Sequence, residues 1–449
     1  MNALLASSGL RFGIYQYNKQ RPIRQLIGID YYRQCKEYLL ADVKPFYCCR
    51  SQVDLACEVA ALPYDVFNRE EASAEISRNP RSFLRIDKSW AIVSDDIDEY
   101  DSRVYEKAAE LFEIDLQDGV FIEEEEEHYF IYRLVKNGQS QIGIVSCIAV
   151  SDFENGVLKQ HENTQTFKLD DRINHVNALR AHTGPIFVTY KAQEELDIIT
   201  KQIVRTENPL YDFISDDNIR HTVWRVDDKA AEGIISNCFA ELDSLYIVDG
   251  HHRASAAARI GIKEGGEAGY FLIIAFPANQ LTILDYNRVV ADTNGLTKDE
   301  LFRRIAVSFF VEKKGADPVK PEQKGEFSLY LDREWYRLLI NEGLRPNDPV
   351  SGLDVSLLHD LLLEPILGID DPRTSERISF VGGARGLKEL ESQANAFQSD
   401  DSPLGGISFA LFPCSLDELF TVADEGRLMP PKSTWFEPKP RSGLFIHRF

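Results

Sequence analysis

Five consecutive residues, Asp249-Gly250-His251-His252-Arg253, carry the densest chemistry in the chain. They follow the apolar run Leu245-Tyr246-Ile247-Val248 and precede the alanine-rich Ala254-Ser255-Ala256-Ala257-Ala258. The spacing predicts a strand over Ser244–Val248 and a helix over His252–Ile260 ended by Gly261. Such a junction presents unpaired backbone N–H groups at a helix start, where the helix dipole favours an anion. Gly250 allows close backbone approach to a ligand, and Arg253 can fork two hydrogen bonds to a phosphate. Neighbouring helical side chains diverge by ~100°, so one of His251 and His252 should face the ligand. Asp249, at the strand end, can hold a magnesium ion or orient a histidine. The plain alternative is a capped turn with two surface histidines. Four chemically competent side chains within five positions favour a site.

Two further segments have chemical potential. In Lys159-Gln160-His161-Glu162-Asn163-Thr164, followed by Lys168, Asp171 and Arg172, adjacent His and Glu do not have a zinc-ligand spacing. A glutamate beside a histidine can instead act as a general base with an orienting partner, and a polar loop before a helix is an equal reading. Met429-Pro430-Pro431-Lys432-Ser433-Thr434-Trp435-Phe436-Glu437-Pro438-Lys439-Pro440 sets two lysines, two hydroxyls and two aromatics in a proline-stiffened tail. Lys432-Ser433-Thr434 lacks the preceding glycines of a P-loop. By composition alone, a rigid tail packed by Trp435 and Phe436 is the favoured reading.

Around these segments, strands and helices interleave, which predicts an α/β or α+β fold with mixed sheets and flanking helices. Asn68 should cap a helix over Arg69–Ser77, stopped by Asn79-Pro80. Phe83–Ile86 reads as a strand and 99–113 as an amphipathic helix. Val120–Ile122 and Tyr129–Val135 read as strands joined by a solvated loop of five glutamates, Glu123–Glu127. Asn137-Gly138 signals a hairpin into Gln141–Val150. Helices are expected over Asp170–His182, Ala192–Arg205, Asp354–Leu363, Leu387–Ala396 and Ser415–Glu425, the last opened by a Ser415/Glu418 capping box. The division expected is a 1–42 extension, helical over Asp30–Leu40, then regions 43–150, 151–312 and 325–449, with a Lys/Pro/Gly-rich linker between the last two.

The bulk numbers narrow the function. The chain has 449 residues and a net charge of −22. A surface that acidic argues against nucleic-acid or anionic-membrane binding and leaves room for a local basic pocket. No run approaches the ~20 apolar residues of a membrane span, and Met1–Leu5 lacks the layout of a secretory signal. A cytoplasmic location is therefore expected. The 7 cysteines contain no CxxC pair and read as free thiols.

The segments together resemble an uncharacterised prokaryotic family, the domain of unknown function numbered ten-fifteen, described as associated with serine-biosynthesis genes. The resemblance rests on Pro63-Tyr64-Asp65-Val66, Asn79-Pro80 with Phe83, His161-Glu162 with Thr164, Asp171-Arg172, Gly184-Pro185-Ile186, Asp249–Arg253, and Met429–Lys439 with Ser442-Gly443-Leu444. It covers about 43–449. Over about 155–290 the Asp-Gly-His-His-Arg motif also resembles the ParB/sulfiredoxin-like superfamily, particularly its free-serine kinases. That resemblance implies a central ParB/sulfiredoxin-like unit that binds nucleotide phosphates, with Glu162 as base for a substrate hydroxyl.

The resulting expectation is a small-molecule phosphoryl transferase. Gly250, His251, His252, Arg253, Lys432, Ser433, Thr434 and Lys439 would hold nucleotide phosphates, and Asp249 would hold Mg2+. Glu162, His161 and His252 would be catalytic, the donor ATP or ADP, and the acceptor a hydroxyl-bearing metabolite such as L-serine. A nucleotide-binding regulatory module without turnover is the second reading. A metal-dependent hydrolase using Asp249, His251 and His252 is the third.

Overall fold

Val, Ile, Leu and aromatic residues fill the strands around the Asp-Gly junction because both faces of their sheet are covered. In this computed structural model, which describes residues 40–449 apart from 95, 165 and 400–403, that sheet has nine strands. Eight follow the order Leu158–Lys159, Leu245–Asp249, Ile186–Tyr190, Tyr270–Pro277, Gln139–Ala149, Phe130–Lys136, Arg220–Arg225 and Tyr211–Ile214. The ninth, Val43–Lys44, pairs with Gln139–Ala149. Leu245–Asp249 runs parallel to Leu158–Lys159 and antiparallel to Ile186–Tyr190. The sheet is mixed, and the fold is α+β.

Strand alternation sorts the side chains into two cores. Leu245 and Ile247 pack with Ile186, Val188, Phe271 and Ile273 against helix residues such as Leu196, Ile235, Phe239, Ala254 and Ala257. Tyr246 and Val248 face the other way, into a core shared with Phe130, Phe187, Leu272 and Ile274 and with Phe327, Leu329, Leu338 and Phe409. The last four belong to a six-stranded sheet ordered Phe309–Gly315, Glu334–Ile340, Glu326–Leu331, Ile407–Leu411, Tyr286–Val290 and Ile378–Gly382. Apolar burial therefore joins the two sheets across one interior, and Leu40–Phe449 form one compact unit.

The tail returns to the start. Phe445–Arg448 pairs between Phe46–Ser51 and Ala181–His182, and Phe121–His128 completes that four-stranded sheet. On the way, Trp435–Glu437 pairs with Thr282–Leu284. Ser442 and Ala61 exchange backbone hydrogen bonds of 3.2 and 2.8 Å. The segment between the six-stranded sheet and the C-terminal strand is thus fixed at both ends.

Several expectations hold. Lys136 and Gln139 pair across the Asn137-Gly138 turn, and capping boxes close on Asn68/Glu71 and Ser415/Glu418. Others are corrected. Leu84–Asp87 is helical, not extended, with Leu84 and Ile86 buried among other helices. The glutamates are not a loop: Phe121–His128 is a continuous strand. Two of its charges are met by arginines. Glu124 pairs with Arg50 and, at 2.8 Å, with Arg225, and Glu123 pairs with Arg448. The alanine-rich helix runs on from His251 to Glu264. Gly261 does not end it; a Cβ there would collide with the Ala268 carbonyl oxygen, so the glycine permits a close crossing. The Asp30–Leu40 helix and nearly all of the 1–42 extension lie outside the described residues.

Candidate functional site

Asp249 ends its strand beside an irregularity. Register against Ile186–Tyr190 shifts between Ile247 and Asp249, which re-aims the last residue. Gly250 then adopts φ 94° as the N-cap of the His251–Glu264 helix. That left-handed backbone suits glycine, and a Cβ there would meet the Arg253 guanidinium at 3.0–3.2 Å.

The three segments converge. One cleft is lined by Asp65 and Val66, by Glu162, by Val248, Asp249 and His251, by Tyr286, and by Lys432, Thr434, Trp435, Phe436 and Lys439. Its centre is an ion pair between Lys439 Nζ and Asp249 Oδ1 at 3.1 Å, with Arg253 Nη2 3.4 Å from Asp249 Oδ2. Burial works to raise the Asp249 carboxyl, but Lys439, Arg253 and Lys432 together hold it below its ordinary value. Burial works to lower the two lysines, yet both are held up, Lys432 by Tyr286, Glu162 and Asp65 and Lys439 by Asp249 and Asp65. Lys439 is 6% exposed, with its ammonium 4.8 Å from the Trp435 ring centre. The free space is about 50 Å³, well below the ~300–1,000 Å³ of pockets that enclose a whole small ligand. It suits a single phosphate-sized group.

The histidines divide as their helical divergence requires. His251 is buried and lines the cleft, and its Nε2 has no hydrogen-bond partner among the described residues. Behind it lies His161, ring centres 4.6 Å apart and nearly perpendicular, with Nε2 3.3 Å from Thr434 Oγ1. Burial drives both down to about 3, aided at His161 by His251 and at His251 by His252, Lys432 and Arg253. His252 is half-buried. Burial and Lys168 bring it to about 4, against the opposing pull of Glu162. All three are neutral near pH 7, so His251 can donate or accept a hydrogen bond without carrying charge.

Of the expected ligand groups, Gly250, His252, Arg253 and Ser433 are not among the residues lining the cleft, and the last two are engaged elsewhere. Arg253 Nη1 donates to the Pro185 carbonyl at 2.7 Å, and the side chain lines a separate small cavity with Tyr64, Asp87 and Arg172. It buttresses Asp249. Ser433 is buried and its Oγ donates to the Pro430 carbonyl at 2.6 Å, forming the turn that presents Lys432. Lys432 itself has φ 55°, a left-handed backbone that costs a non-glycine residue about 1 kcal/mol.

Sequence reasoning missed two lining side chains. Asp65, on the Tyr64–Val66 turn, was visible only as part of the Pro-Tyr-Asp-Val pattern. Tyr286, which opens a strand of the second sheet, carried no local signal, since nothing near it in sequence belongs to the cleft. Its ring centre lies 5.7 Å from the Lys432 ammonium.

Asp65, Glu162 and Asp249 are hard oxygen donors of the kind magnesium takes. Among the described residues, however, the three-residue group close enough to cage an ion is His359, Asp360 and Glu364, outside this cleft.

The family model described as "Protein of unknown function (DUF1015)" matches residues 43–356. The chain belongs to this family. No curated protein sequence matches this DUF1015 chain. Among solved structures it is similar to SbnI with a C-terminal truncation from Staphylococcus aureus, at 12% identity over 67% of this chain and 85% of that one, TM-score 0.36. It is also similar to a free serine kinase variant in complex with ADP, at 14% identity over 67% and 92%, TM-score 0.33. A third is a conserved hypothetical protein from Pyrococcus furiosus, at 13% identity over 67% and 94%, TM-score 0.31. Among the described residues, no helix is long and apolar enough to cross a membrane.

Proposed function

We propose that this protein is a small-molecule phosphoryl transferase that moves the terminal phosphoryl group of ATP or ADP to a hydroxyl-bearing metabolite. One observation carries the reading: Glu162, Asp249, His251, Lys432 and Lys439, drawn from three distant segments, line one cleft. Phosphoryl transfer requires chiefly positioning and charge neutralisation. Lys432, Lys439 and the N–H groups of the helix that follows Gly250 neutralise and orient the phosphates. Glu162 takes the proton as the acceptor oxygen bonds to phosphorus and the bond to the leaving nucleotide breaks. His251, which lines the same cleft, is a neutral hydrogen-bonding group there.

Magnesium fits the donor set in the manner usual for phosphate sites, where one or two carboxylates and the substrate's own phosphates complete the shell. Asp249 would hold it together with the substrate's phosphates, and it would supply charge neutralisation there. L-serine is the first acceptor to assay, on the family's gene association.

The test is phosphorus NMR of purified protein with magnesium, ATP or ADP, and L-serine or related alcohols. The expected result is a phosphate monoester, with Glu162→Gln slowing turnover by ~10²–10⁴. Folded protein that yields no ester with any donor overturns the assignment. The tight Asp249–Lys439 pair favours one second reading, a nucleotide-operated switch, because a bound phosphate would compete for Lys439 and release Asp249. Tight nucleotide binding by calorimetry without turnover would identify that case.

A further inference from the structure

A larger cavity, about 420 Å³, lies on the other side of the Pro430–Lys432 turn. Arg288, Ser351, Ser356, His359, Phe380 and Pro431 are among its walls. Its size is within the range of pockets that enclose a small ligand.

Arg288 is the unusual member. It is 4% exposed, yet among the described residues no carboxylate lies within ion-pairing distance. Its guanidinium donates instead to main-chain carbonyls: Nη1 to Tyr286, and Nη2 to Pro431 at 3.3 Å and Lys432 at 3.0 Å. One face lies 5.1 Å from the Phe380 ring centre. The nearby acids do not compensate it. Asp371 is taken by Arg373 at 2.8 Å, and Asp360 and Asp370 are exposed, where solvent screens them. A buried charge without a counter-ion is expensive, and burial brings this guanidinium down to about 10. His359, Asp360 and Leu363 of the cavity wall belong to a π-helical turn, His359–Leu363, a local departure that recurs at functional sites.

We infer that this cavity is a second ligand site, separate from the phosphoryl-transfer cleft, which takes a small organic anion, carboxylate or phosphate, on Arg288. The anion supplies the missing counter-charge. Ser351 and His359 offer polar contacts, and Phe380 with Pro430 and Pro431 covers the organic part. Because the same guanidinium holds the Pro431 and Lys432 carbonyls, occupancy is felt at the turn that presents Lys432 to the cleft. The inference does not require catalysis.

The test titrates the full chain with succinate, citrate and inorganic phosphate while following thermal unfolding. At least one is expected to stabilise it saturably, and which one distinguishes a carboxylate from a phosphate ligand. Arg288→Met, and Ser351→Phe, which fills the cavity and leaves Arg288 in place, should weaken that response at least ~10-fold. Crystals soaked with bromoacetate or selenate give a check that needs no variant, with the anomalous peak expected beside Arg288. No response to any probe, an undiminished response in folded Ser351→Phe, or anomalous peaks only elsewhere would overturn the inference.

Discussion

At the residue scale, Lys432 shows a conflict between backbone and side chain. Its φ of 55° suits glycine, while its ammonium faces Glu162, Asp65 and Asp249 in a buried cleft. Lys432→Gly would relieve the backbone cost and the desolvated charge but loosen the unfolded chain, offsetting terms of about 1 kcal/mol each. Stability measured by urea unfolding should therefore stay within about 1 kcal/mol of the parent. Nucleotide affinity by calorimetry should fall at least ~10-fold, the usual loss for a charge-assisted phosphate contact. A large stability loss with unchanged affinity would make Lys432 a structural residue. The buried histidines give a second prediction. Seven of the nine, His161, His175, His182, His221, His251, His252 and His447, are lowered in the folded state, with burial the first cause in each. The unfolded chain then binds more protons below pH 6.5, so stability is complete above that pH and is lost as pH falls toward 4. Each histidine contributes on the order of 1 kcal/mol per pH unit in that window. Urea midpoints should drop steeply between pH 6.5 and 5, and His251→Asn should flatten the slope by one histidine's share.

At the scale of elements, the glutamate strand shows what periodicity can and cannot convey. Five like charges in sequence read as a solvated loop because nothing local neutralises them. The neutralising arginines arrive from strands far along the chain: Arg50 from Phe46–Ser51, Arg225 from Arg220–Arg225, Arg448 from Phe445–Arg448. Arg50 is 8% exposed. Glu124→Ala would leave the Arg50 charge buried without a carboxylate, with only the Ser51 carbonyl and the Tyr211 hydroxyl as partners, at a cost of about 3 kcal/mol, measurable as a lower urea midpoint; an effect below about 1 kcal/mol would put that pair in solvent. The same distinction governs what was legible elsewhere. The Asn137-Gly138 hairpin, the Asn68 cap, the Ser415/Glu418 capping box and the Leu245–Asp249 strand with its following helix are written in adjacent residues, and they could be read. Leu84–Asp87 has an alternating pattern but is packed as a helix by Phe83, Trp90 and Phe112 from its surroundings. Within the cleft, Asp249, His251, Glu162, Lys432, Thr434 and Lys439 were recognisable from local chemistry or family resemblance. Arg253 was legible as a cation, but only the fold turns it toward Pro185 and Asp249. Tyr286 comes from another sheet, and its place depends on how the two sheets meet.

For the molecule as a whole, the cleft is a consequence of chain return. Lys432 and Lys439 reach Asp249 because the tail leaves the second sheet, is tied to His161 by the Met429 N–H at 2.8 Å, and ends as an inner strand of the four-stranded sheet. Phe445 and Ile446 are fully buried, and Phe445 packs 5.4 Å from Phe130 and 5.7 Å from Tyr132. Arg441, 4% exposed, pairs with Asp217 at 2.6 Å. A chain ending at Pro440 keeps every cleft residue in its sequence yet loses this anchor. Deleting even the Phe445 side chain alone should cost about 3–5 kcal/mol, a large share of a domain's ~5–15 kcal/mol of stability. The truncated chain should unfold at far lower urea concentration, and at temperatures where it remains folded its nucleotide affinity should be at least ~10-fold weaker than the parent's. Phe445→Ala should reproduce most of the stability loss; because it keeps the strand's backbone pairing, its affinity loss should be smaller. Parental nucleotide affinity in the truncated but folded chain would mean that the lysines reach Asp249 without the returning strand, and that the cleft is assembled by the 429–440 segment alone.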